Sequence, residues 1–355
     1  MTRAWVDVDL GALRRNGAAV AARAGVPIVP MVKADGYGLG AVRVARVLEE
    51  LDPWGYGVAT VREGAELRRV GITRPIIVFT PLLPTELDSA RRASLRPALE
   101  SAEAIQRWSV TGEPWHLSID TGMGRAGVRW TDIADLRGLL ELSPPEGAFT
   151  HFHSAEVDDG SRAEQERRFE EGIAALPFRP MLLHIENGAA VARSNGSRWD
   201  LVRPGIFLYG VGSGPGALIG PEPVASLRAR IVAMRWLEDG ETVSYLATYR
   251  AAGRRRIATL PLGYADGYRR SLSNRATVLL NGRRAPVAGL VTMDMTMIDV
   301  TDVDCEIGDV VTLIGRDGDD LITVEELAEA SGLSPYELLT GLRQRLPRRY
   351  VEIGD

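Results

Sequence analysis

Eight short apolar segments, separated by helical patterns, constrain the fold of this chain more than any other feature of its sequence. They lie at residues 27–33, 54–59, 75–80, 94–99, 115–120, 147–152, 181–185 and 199–208. Apolar residues recur at helical spacing between them, most clearly over 40–51, 61–70, 101–108, 131–142 and 162–175. The segments are hydrophobic almost throughout, which is typical of parallel strands covered on both faces. Eight such units favour a closed (β/α)8 barrel of the TIM type over an open doubly wound sheet.

The residues on either side of these units predict further elements. Residues 4–8 alternate apolar and acidic side chains and predict a short strand, and Asp9 is expected to cap a helix that ends near Gly25. After about Ser226 the chain shows period-two alternation, with Asn281-Gly282 as a hairpin turn signal. We therefore predict a barrel domain over 1–225 and a mainly β C-terminal domain over 226–355.

Two local patterns add detail to the C-terminal domain. Methionines at 293, 295 and 297 alternate with polar residues, which suggests a strand with one buried face. The segments 323–326 and 334–337 have the spacing of capping boxes, and the second has a proline at its first helical position. The β domain is therefore expected to carry two late helices.

Composition and charge argue against several functional classes. The chain has 42 Lys and Arg against 47 Asp and Glu, with the arginines scattered among acids, so no nucleic-acid partner is expected. A single cysteine, Cys305, rules out internal disulfides and indicates a reducing compartment. No signal peptide is recognisable, and no apolar run approaches the roughly 20 residues of a membrane span. We expect a cytoplasmic protein with no membrane partner.

One lysine stands out because it has no counterpart. Of the 42 lysines and arginines only Lys33 is a lysine, and it ends the first predicted barrel strand, before a glycine-rich turn. Arginine stays charged at any working pH, whereas a desolvated lysine can lose its proton and become a nucleophile. An ordinary strand-end lysine is the competing explanation, and the uniqueness of Lys33 weighs against it. The position therefore indicates a requirement for a free amine.

Other polar residues follow the predicted strands, where a barrel of this kind carries its chemistry. They are Asp120 and Arg125 after the fifth strand, His151 and His153 at the sixth, His184 and Asn187 at the seventh, and Arg203-Pro-Gly205 in the eighth. Three of the four histidines of the chain are thus expected on the same rim as Lys33.

Two kinds of chemistry could use this rim. The three histidines and Asp120 could bind a divalent metal that activates water, as in a barrel hydrolase. Alternatively, Lys33 could form a Schiff base with a carbonyl cofactor whose phosphate is held by backbone N–H groups of glycine-rich turns. The turn at Gly36, Gly38 and Gly40 matches neither the dinucleotide nor the P-loop spacing. The unique lysine favours the Schiff base and no metal.

The motifs of the whole chain, in their order, resemble those of the alanine racemase family, fold-type III enzymes that use pyridoxal 5'-phosphate. The resemblance rests on residues 4–10, 32–38, 120–127, 150–152, 202–210, 243–245, 262–267, 293–294 and 345–348. It implies the barrel and β domain predicted above and an isomerase that supplies D-alanine for peptidoglycan. It also implies a homodimer whose active sites are completed by the other subunit.

The resemblance further implies roles for individual residues. Lys33 is expected to carry the cofactor and then to act as a base on one side of the substrate α-carbon, opposite Tyr245 from the other subunit. Arg203, supported by His184, is expected to bond the pyridine nitrogen, which stays unprotonated because arginine keeps its proton. The other implied contacts are Tyr37, His151, Asn187, Gly188, Gly205 and Ile206 for the cofactor, and Arg125, Tyr264 and Met293 for the substrate.

Three positions depart from the family pattern. Ser118 stands where a lysine, carbamylated in some members, is frequent, so Arg125 needs another negative partner, such as a bound chloride. Gly188 replaces a usual serine, and Gln344 stands where a phosphate-contacting tyrosine is common. A serine or broad-specificity racemase of the same fold therefore stays open. A decarboxylase would pair the pyridine nitrogen with a carboxylate, which Arg203 argues against, and a non-catalytic cofactor-binding protein of this fold would lack the β domain.

Overall fold

The structure is a computed structural model that describes residues 2–352. Its strands are β1 (Ala4–Asp9), β2 (Tyr56–Val58), β3 (Ile76–Val78), β4 (Arg96–Leu99), β5 (His116–Asp120), β6 (Val128–Arg129), β7 (Gly147–Phe149), β8 (Leu182–His184), β9 (Ala225–Arg230), β10 (Ala233–Leu237), β11 (Thr242–Val243), β12 (Tyr249–Arg250), β13 (Arg255–Leu260), β14 (Thr277–Leu280), β15 (Arg283–Pro286), β16 (Thr296–Asp299), β17 (Val310–Asp317), β18 (Asp320–Ile322) and β19 (Arg348–Val351).

The helical elements are α1 (Leu10–Ala24), α2 (Lys33–Tyr37), α3 (Ala41–Leu48), α4 (Val61–Arg69), α5 (Leu87–Arg92), α6 (Ala102–Ser109), α7 (Arg137–Leu142), α8 (Ser161–Ala174), α9 (Gly188–Ala192), α10 (Val324–Ser331) and α11 (Pro335–Thr340). Short 3₁₀ helices lie at Glu49–Leu51, Pro84–Glu86, Ile133–Leu136, Ile206–Tyr209, Tyr245–Ala247 and Arg270–Leu272. No helix in the described part of the chain is long and apolar enough to cross a membrane.

The predicted barrel is present and closes through parallel contacts. Its main part is the parallel sheet β2-β3-β4-β5-β7-β8, in which β2, β3 and β7 are buried at every residue. Isolated parallel bridges add the first and last barrel strands and close the ring: Met31 with Gly57, Ile28 with Val202, and Asn187 with Arg203. These six strands, and the bridged residues of the first and last barrel segments, fall within the predicted apolar segments, and the fold class is confirmed.

The barrel helices follow their sequence signals closely. Asp9 caps α1 by accepting a hydrogen bond from the amide of Ala12 at 3.0 Å. Gly25 ends the helix with φ 69°, a conformation that glycine adopts without steric cost. The helices α4, α6 and α8 lie within a residue of their predicted bounds, whereas the segments 40–51 and 131–142 are each divided between an α-helix and a 3₁₀ turn.

The residues after 224 form the predicted β-rich region. One sheet has the strand order β15-β14-β17-β9-β1-β19, and a second has the order β10-β13-β16. Asn281 and Gly282, with φ of 51° and 73°, make the tight turn between β14 and β15. The first strand, β1, pairs with β9 and β19 and therefore belongs to this sheet rather than to the barrel. The division of the chain at residue 225 stays a prediction.

The methionine pattern marks a shorter strand than expected. β16 begins only at Thr296, which is buried together with Ile298, so Met297 lies on the half-exposed face. Met293 and Met295 precede the strand and are 53% and 48% exposed. The hydroxyl of Thr296 donates to a backbone carbonyl at 2.9 Å, which satisfies this buried polar group.

Candidate active site

A cavity of about 630 Å³ opens where the barrel strands end. This volume lies within the roughly 300–1,000 Å³ that small-molecule sites usually occupy. Nine of the residues that the resemblance assigns to the cofactor or the substrate line it together: Lys33, Tyr37, Arg125, His151, Asn187, Gly188, Arg203, Gly205 and Ile206. Two other strand-end candidates, Asp120 and His153, also line it, whereas His184 does not. Six of the nine were expected on one rim because they end or follow predicted strands, and the other three, Tyr37, Gly188 and Ile206, were implied by the resemblance.

Lys33 begins a turn of unusual backbone conformation. The four residues that follow it have φ between 53° and 59°, so α2 is a left-handed turn. This conformation costs an L-residue other than glycine roughly 1–2 kcal/mol, and must be held by its surroundings. Three hydrogen bonds of 2.8–2.9 Å hold it, from the amides of Gly36, Gly38 and Gly40 to the carbonyls of Val32, Ala34 and Asp35. The turn presents both Lys33 and Tyr37 to the cavity.

The carboxylate of Glu63 fixes this turn to the next barrel unit. Its Oε1 accepts a hydrogen bond from the amide of Ala34 at 2.8 Å, directly after Lys33. Its Oε2 accepts from the amides of Ala59 and Thr60 at 2.8 and 3.1 Å. The hydroxyl of Thr60 accepts from the amide of Glu63, which completes a capping box at the start of α4. One side chain thus joins the lysine turn to the end of β2.

The surroundings of Lys33 favour its uncharged form. Desolvation lowers the pKa of its amine below the usual range, and the positive charges of Arg125 and Arg203 act in the same direction. The carboxylate of Glu63 opposes them. The amine therefore loses its proton more readily than an exposed lysine does, as a nucleophile or base requires.

Arg203 lies at the wall of the cavity, 4% exposed and anchored through its two terminal nitrogens. NH1 donates to Nδ1 of His184 at 2.9 Å and to the carbonyl of His184. NH2 donates to the carbonyls of Thr150 and Ile185 at 2.7 and 3.2 Å. Within residues 2–352 its Nε–H has no hydrogen-bond partner. This remaining donor fits an acceptor atom of a bound ligand, such as an unprotonated ring nitrogen.

Burial sets the charge of two groups beside this donor. It lowers the pKa of Arg203 to about 9, against the opposing charge of Glu186, so the guanidinium stays charged at neutral pH. Burial, reinforced by the charges of Arg203, Arg125 and Lys33, lowers the pKa of His151 to about 3. The imidazole of His151 is therefore neutral at neutral pH, and suited to packing against a ring.

Short helices begin at the wall of the same cavity. α9 starts at Gly188, after Asn187, and the 3₁₀ helix Ile206–Tyr209 follows Gly205. The first amides of a helix have no partner within it and can bind an anion. A Cβ on Gly205 would lie 2.6 Å from Oη of Tyr37, so glycine keeps this space open. Tyr37 and the amides of these turns fit a phosphate group.

Three predicted residues lie away from the cavity of their own chain. Tyr245, Tyr264 and Met293 do not line it and are 71%, 38% and 53% exposed. The loop of Tyr245 is strained, since its neighbours have φ in the left-handed region: Ser244 at 66°, Leu246 at 61° and Ala247 at 50°. All three predicted residues are on the surface of the C-terminal region.

Tyr336 is a cavity residue that the sequence analysis missed. It lines the cavity from α11, and its ring centroid lies 6.2 Å from that of Tyr37. Gln344, which was expected to stand in the place of a phosphate-contacting tyrosine, is exposed and does not line the cavity. The capping box at 334–337 predicts the start of α11 and so places Tyr336 in a helix, but no local pattern indicates that this helix reaches the cavity.

Arg125 is held by its loop but not by a charged partner. Oδ1 of Asp120 accepts hydrogen bonds from the amides of Gly122 and Gly124 at 2.9 and 3.1 Å, which shapes the loop. Arg125 itself is exposed and makes no hydrogen bond or ion pair within the described residues. Ser118 lies buried in the cavity wall. The guanidinium of Arg125 is therefore available to an anionic ligand.

The alternative metal site does not form. His184 is buried and occupied by Arg203, and His153 is exposed and bonded to Ser154. Across residues 2–352 no group of three or more His, Cys, Asp or Glu side chains is arranged to hold a metal ion. The histidine rim therefore does not support a metal-dependent hydrolase.

The fold and the cavity define a class of enzyme. A barrel site with a single amine of lowered pKa, a guanidinium with an unused Nε–H and turns that can bind a phosphate is suited to a phosphorylated aldehyde cofactor. Pyridoxal phosphate has this chemistry, and the side chains present fit it.

Comparisons with known proteins place the chain more closely. The alanine racemase N-terminal domain matches residues 8–213, and the C-terminal domain matches residues 224–350. Alanine racemase from Symbiobacterium thermophilum is 40% identical, over 99% of this chain and 97% of its own. The one from Geobacter sulfurreducens is also 40% identical, over 97% and 96%.

Solved structures agree with these relatives. Alanine racemase from Bacillus anthracis with bound L-Ala-P has a TM-score of 0.93 and 33% identity, covering 100% of this chain and 97% of that one. The enzyme from Bartonella henselae with covalently bound pyridoxal phosphate has a TM-score of 0.91 and 28% identity, covering 99% and 100%. The chain belongs to the alanine racemase family.

Proposed function

We propose that this chain interconverts L-alanine and D-alanine with pyridoxal 5'-phosphate and so supplies D-alanine for peptidoglycan. The observation that carries the proposal is the meeting of Lys33, the only lysine, with Arg203 in one cavity of an alanine racemase chain. The bound cofactor supplies an electron sink that allows the α-proton of an amino acid to leave. Cys305, a free buried thiol, supports a reducing, cytoplasmic setting.

Several residues would hold the cofactor. Lys33 would hold its aldehyde carbon, and Arg203 would donate from Nε to its pyridine nitrogen. The neutral ring of His151 would pack against the cofactor, and Asn187 would shape the turn by accepting from the amide of Ala190 at 2.9 Å. The phosphate would be held by Tyr37 and by the amides of Gly188, Gly205 and Ile206, with Tyr336 beside Tyr37.

The choice of Arg203 for the pyridine nitrogen limits side reactions. A guanidinium that stays charged at neutral pH donates a hydrogen bond without giving up its proton. Arg203 would therefore leave the pyridine nitrogen of the cofactor unprotonated and so limit how strongly the ring could withdraw electrons. Quick return of the α-proton is favoured over transamination or decarboxylation, as a racemase requires.

Racemisation needs a second base, because a proton taken from one face of the α-carbon must return to the other. Lys33 can serve one face once its amine is free. The phenols of the cavity are poorly suited to the other face, since burial raises the pKa of both Tyr37 and Tyr336. His151, whose pKa is lowered to about 3, is too weak a base. We assign the second role to Tyr245.

Tyr245 would reach the cavity from a second copy of the chain. Its strained, exposed loop lies next to the segment around Leu290, to whose carbonyl Ser244 donates at 2.8 Å. Further large apolar side chains of the residues after 224 are exposed, namely Trp236, Leu246, Tyr264, Met293 and Met295. A surface of this kind is typical of an oligomer interface. A homodimer that shares its active sites would cover it.

The substrate carboxylate would lie between Arg125 and residues of the second copy. Arg125 has no charged partner within the described residues, so it can bind a carboxylate, with Tyr264 and the amide of Met293 contributed across the interface. A small anion such as chloride near Ser118 would orient Arg125, since no carbamylated lysine is present there.

A racemisation panel tests the proposed activity and its substrate. Holoenzyme is incubated separately with L-alanine, L-serine and larger L-amino acids, and the enantiomers are separated by chiral chromatography. We expect kcat/KM to be highest for alanine. A higher kcat/KM for serine would show that serine is the preferred substrate instead of alanine. A chain that racemises neither amino acid would refute the proposal.

Mixed dimers test the shared active site. Lys33→Ala and Tyr245→Phe variants carrying different tags are co-expressed, and the heterodimer is purified through both tags. If sites are shared, one site of the heterodimer has both changes and the other has neither, so about half of the wild-type activity returns. If each chain supplies its own two bases, both sites carry one change and the heterodimer stays inactive.

A further inference from the structure

A chain of hydrogen bonds leads from Arg203 away from the cavity. NH1 of Arg203 lies 2.9 Å from Nδ1 of His184, and Nε2 of His184 lies 2.8 Å from Nδ1 of His116. Nε2 of His116 lies 3.3 Å from Oε2 of Glu146. Arg96 closes the chain with Nε and NH2 at 2.5 and 3.2 Å from the carboxylate of Glu146. A buried polar connection therefore joins the expected ring-nitrogen donor to an ion pair near the surface.

The two ends of this chain of hydrogen bonds, Arg203 and Glu146, determine which ring nitrogens of the two histidines carry a proton. Arg203 can only donate and an ionised Glu146 can only accept, whereas a neutral imidazole has one donor and one acceptor. Nδ1 of His184 must accept from Arg203, so His184 carries its proton on Nε2. That proton is donated to Nδ1 of His116, which then carries its own proton on Nε2 and donates it to Glu146. Only this arrangement of protons gives every hydrogen bond from Arg203 to Glu146 one donor and one acceptor.

The charges along the chain agree with this arrangement. Desolvation alone would raise the pKa of Glu146, but hydrogen bonds from His116 and Arg96 hold it at about 2, so it is ionised. Burial lowers the pKa of His116 and, more strongly, of His184, so both rings are neutral. A carboxylate and a guanidinium thus stand at the two ends with neutral imidazoles between them.

Packing prevents the two rings from turning. Both are fully buried, and the ring of Phe149 stacks on His184 with centroids 5.1 Å apart. Trp54 meets His116 edge-on at 5.8 Å. Backbone at Gly147 passes so close that a Cβ there would lie 2.5 Å from Nδ1 of His116. The only freedom left to either ring is the position of its proton.

We propose that His116 and Glu146 are positioning residues for the racemisation. By fixing the proton of His184 on Nε2, they keep its Nδ1 free to hold Arg203, and so keep Nε of Arg203 directed at the ring nitrogen of the cofactor. This role rests on the proposed function. If Glu146 did not accept, a change of tautomer along the chain would set an N–H of His184 against an N–H of Arg203.

Two substitutions at Glu146 separate this role from a structural one. Glu146→Gln and Glu146→Leu both remove the charge that faces Arg96, but only the glutamine oxygen can still accept from His116. A matched control is Glu49→Leu. Glu49 is also a half-buried carboxylate paired with an arginine, Arg74 at 3.1 Å, and it contacts no histidine.

The tautomers of His116 and His184 can be measured in the resting holoenzyme, without any catalytic reaction. The sequence contains four histidines, so selectively ¹⁵N-labelled holoenzyme gives a short list of ring-nitrogen signals by solid-state NMR. The variants His151→Gln and His153→Gln identify two of the four rings, and the two that remain are His116 and His184. We expect His116 and His184 to be neutral and protonated on Nε2, and the same state to persist in Glu146→Gln. Protonation of either ring on Nδ1 in the wild-type chain would overturn the proposal.

Kinetics provide the second readout. We expect Glu146→Leu to lower kcat for alanine about tenfold with a smaller change in KM, while Glu146→Gln and Glu49→Leu stay close to wild type. Equal losses in both Glu146 variants would assign the effect to the Arg96 ion pair and overturn the proposal, as would full activity of Glu146→Leu. If Glu146→Leu does not fold, the tautomers of His116 and His184 in the wild-type protein still test the proposal. Failure of the wild-type chain to racemise alanine would refute the proposed function but leave the tautomer test intact.

Discussion

Glu63 holds the turn that presents Lys33. Its replacement by glutamine should therefore change the pKa of the Lys33 amine although Lys33 itself is not substituted. The two oxygens of Glu63 serve different segments: Ala34 on one side, Ala59 and Thr60 on the other. Glutamine has one oxygen and would set its amide N–H groups against a backbone N–H on the other side. We expect Glu63→Gln to destabilise the fold and to lower the pKa of the Lys33 amine further.

The size of the effect follows from the lost contacts. A hydrogen bond to a charged group contributes about 1.5–3 kcal/mol, and Glu63 is half-buried, so loss of the Ala34 bond should lower the free energy of unfolding by about 2 kcal/mol. The pKa effect has a definite sign. Glu63 raises the pKa of Lys33 against desolvation and two arginines, so removal of its charge leaves only influences that lower it.

The unique lysine makes the assay direct. In cofactor-free protein an amine-selective reagent can modify only Lys33 and the α-amine, which separate into different tryptic peptides. We expect the labelling curve of Lys33 to shift to lower pH in Glu63→Gln. Glu86→Gln is the control, because Glu86 accepts from the amide of Leu83 at 2.9 Å in a similar cap. Identical Lys33 curves for Glu63→Gln and wild type would refute the reasoning.

Further expected outcomes concern the cavity, the histidines and the second base. Gly205→Ala should weaken cofactor affinity in equilibrium dialysis, because its Cβ would lie 2.6 Å from Oη of Tyr37; an unchanged Kd would contradict this. Stability should fall as pH drops below about 6.5, by up to about 1.4 kcal/mol per pH unit per histidine, because the unfolded chain takes up protons that the folded chain excludes. The histidines concerned are His116, His151 and His184, and denaturant titrations with a flat profile from pH 7 to 5 would exclude the effect. Tyr245→Phe should slow α-proton exchange in deuterated water more for one alanine enantiomer than for the other, and equal, mild slowing would argue against two bases.

The barrel and most of its rim could be predicted because simple patterns determine them. Buried parallel strands are apolar throughout, and their C-terminal ends meet on one edge of the barrel. Lys33, His151, Asn187 and Arg203 therefore come together in the structure as their strand-end positions predicted. Composition also indicated a chemical role for Lys33, because the sequence contains no other lysine.

Contacts between distant segments could not be predicted in this way. His116 is separated by 68 residues from His184 and by 30 from Glu146, and only the relative placement of three barrel strands brings them into line. The strand β1 illustrates the same limit. Its alternating pattern is compatible with any half-buried sheet, and nothing local indicates that it pairs with β9 and β19.

The backbone preferences of single residues also give a wrong prediction in the turn after Lys33. Gly36, Gly38 and Gly40 indicated a tight turn, but Ala34 and Asp35 adopt left-handed backbone against the preference of L-residues. Their conformation is imposed by tertiary contacts, of which the Glu63 bond is one. Such strained positions tend to occur where function requires them.

Borohydride reduction tests most directly whether the amine of Lys33 carries the cofactor. Holoenzyme is reduced with borohydride and digested with trypsin, which cuts after Arg23 and Arg43 and does not cut at a modified lysine. We expect the yellow colour to bleach and the mass of the reduced cofactor to appear on the peptide 24–43, which contains Lys33. Cofactor that is released unmodified, or that is found on any other peptide, would contradict the account.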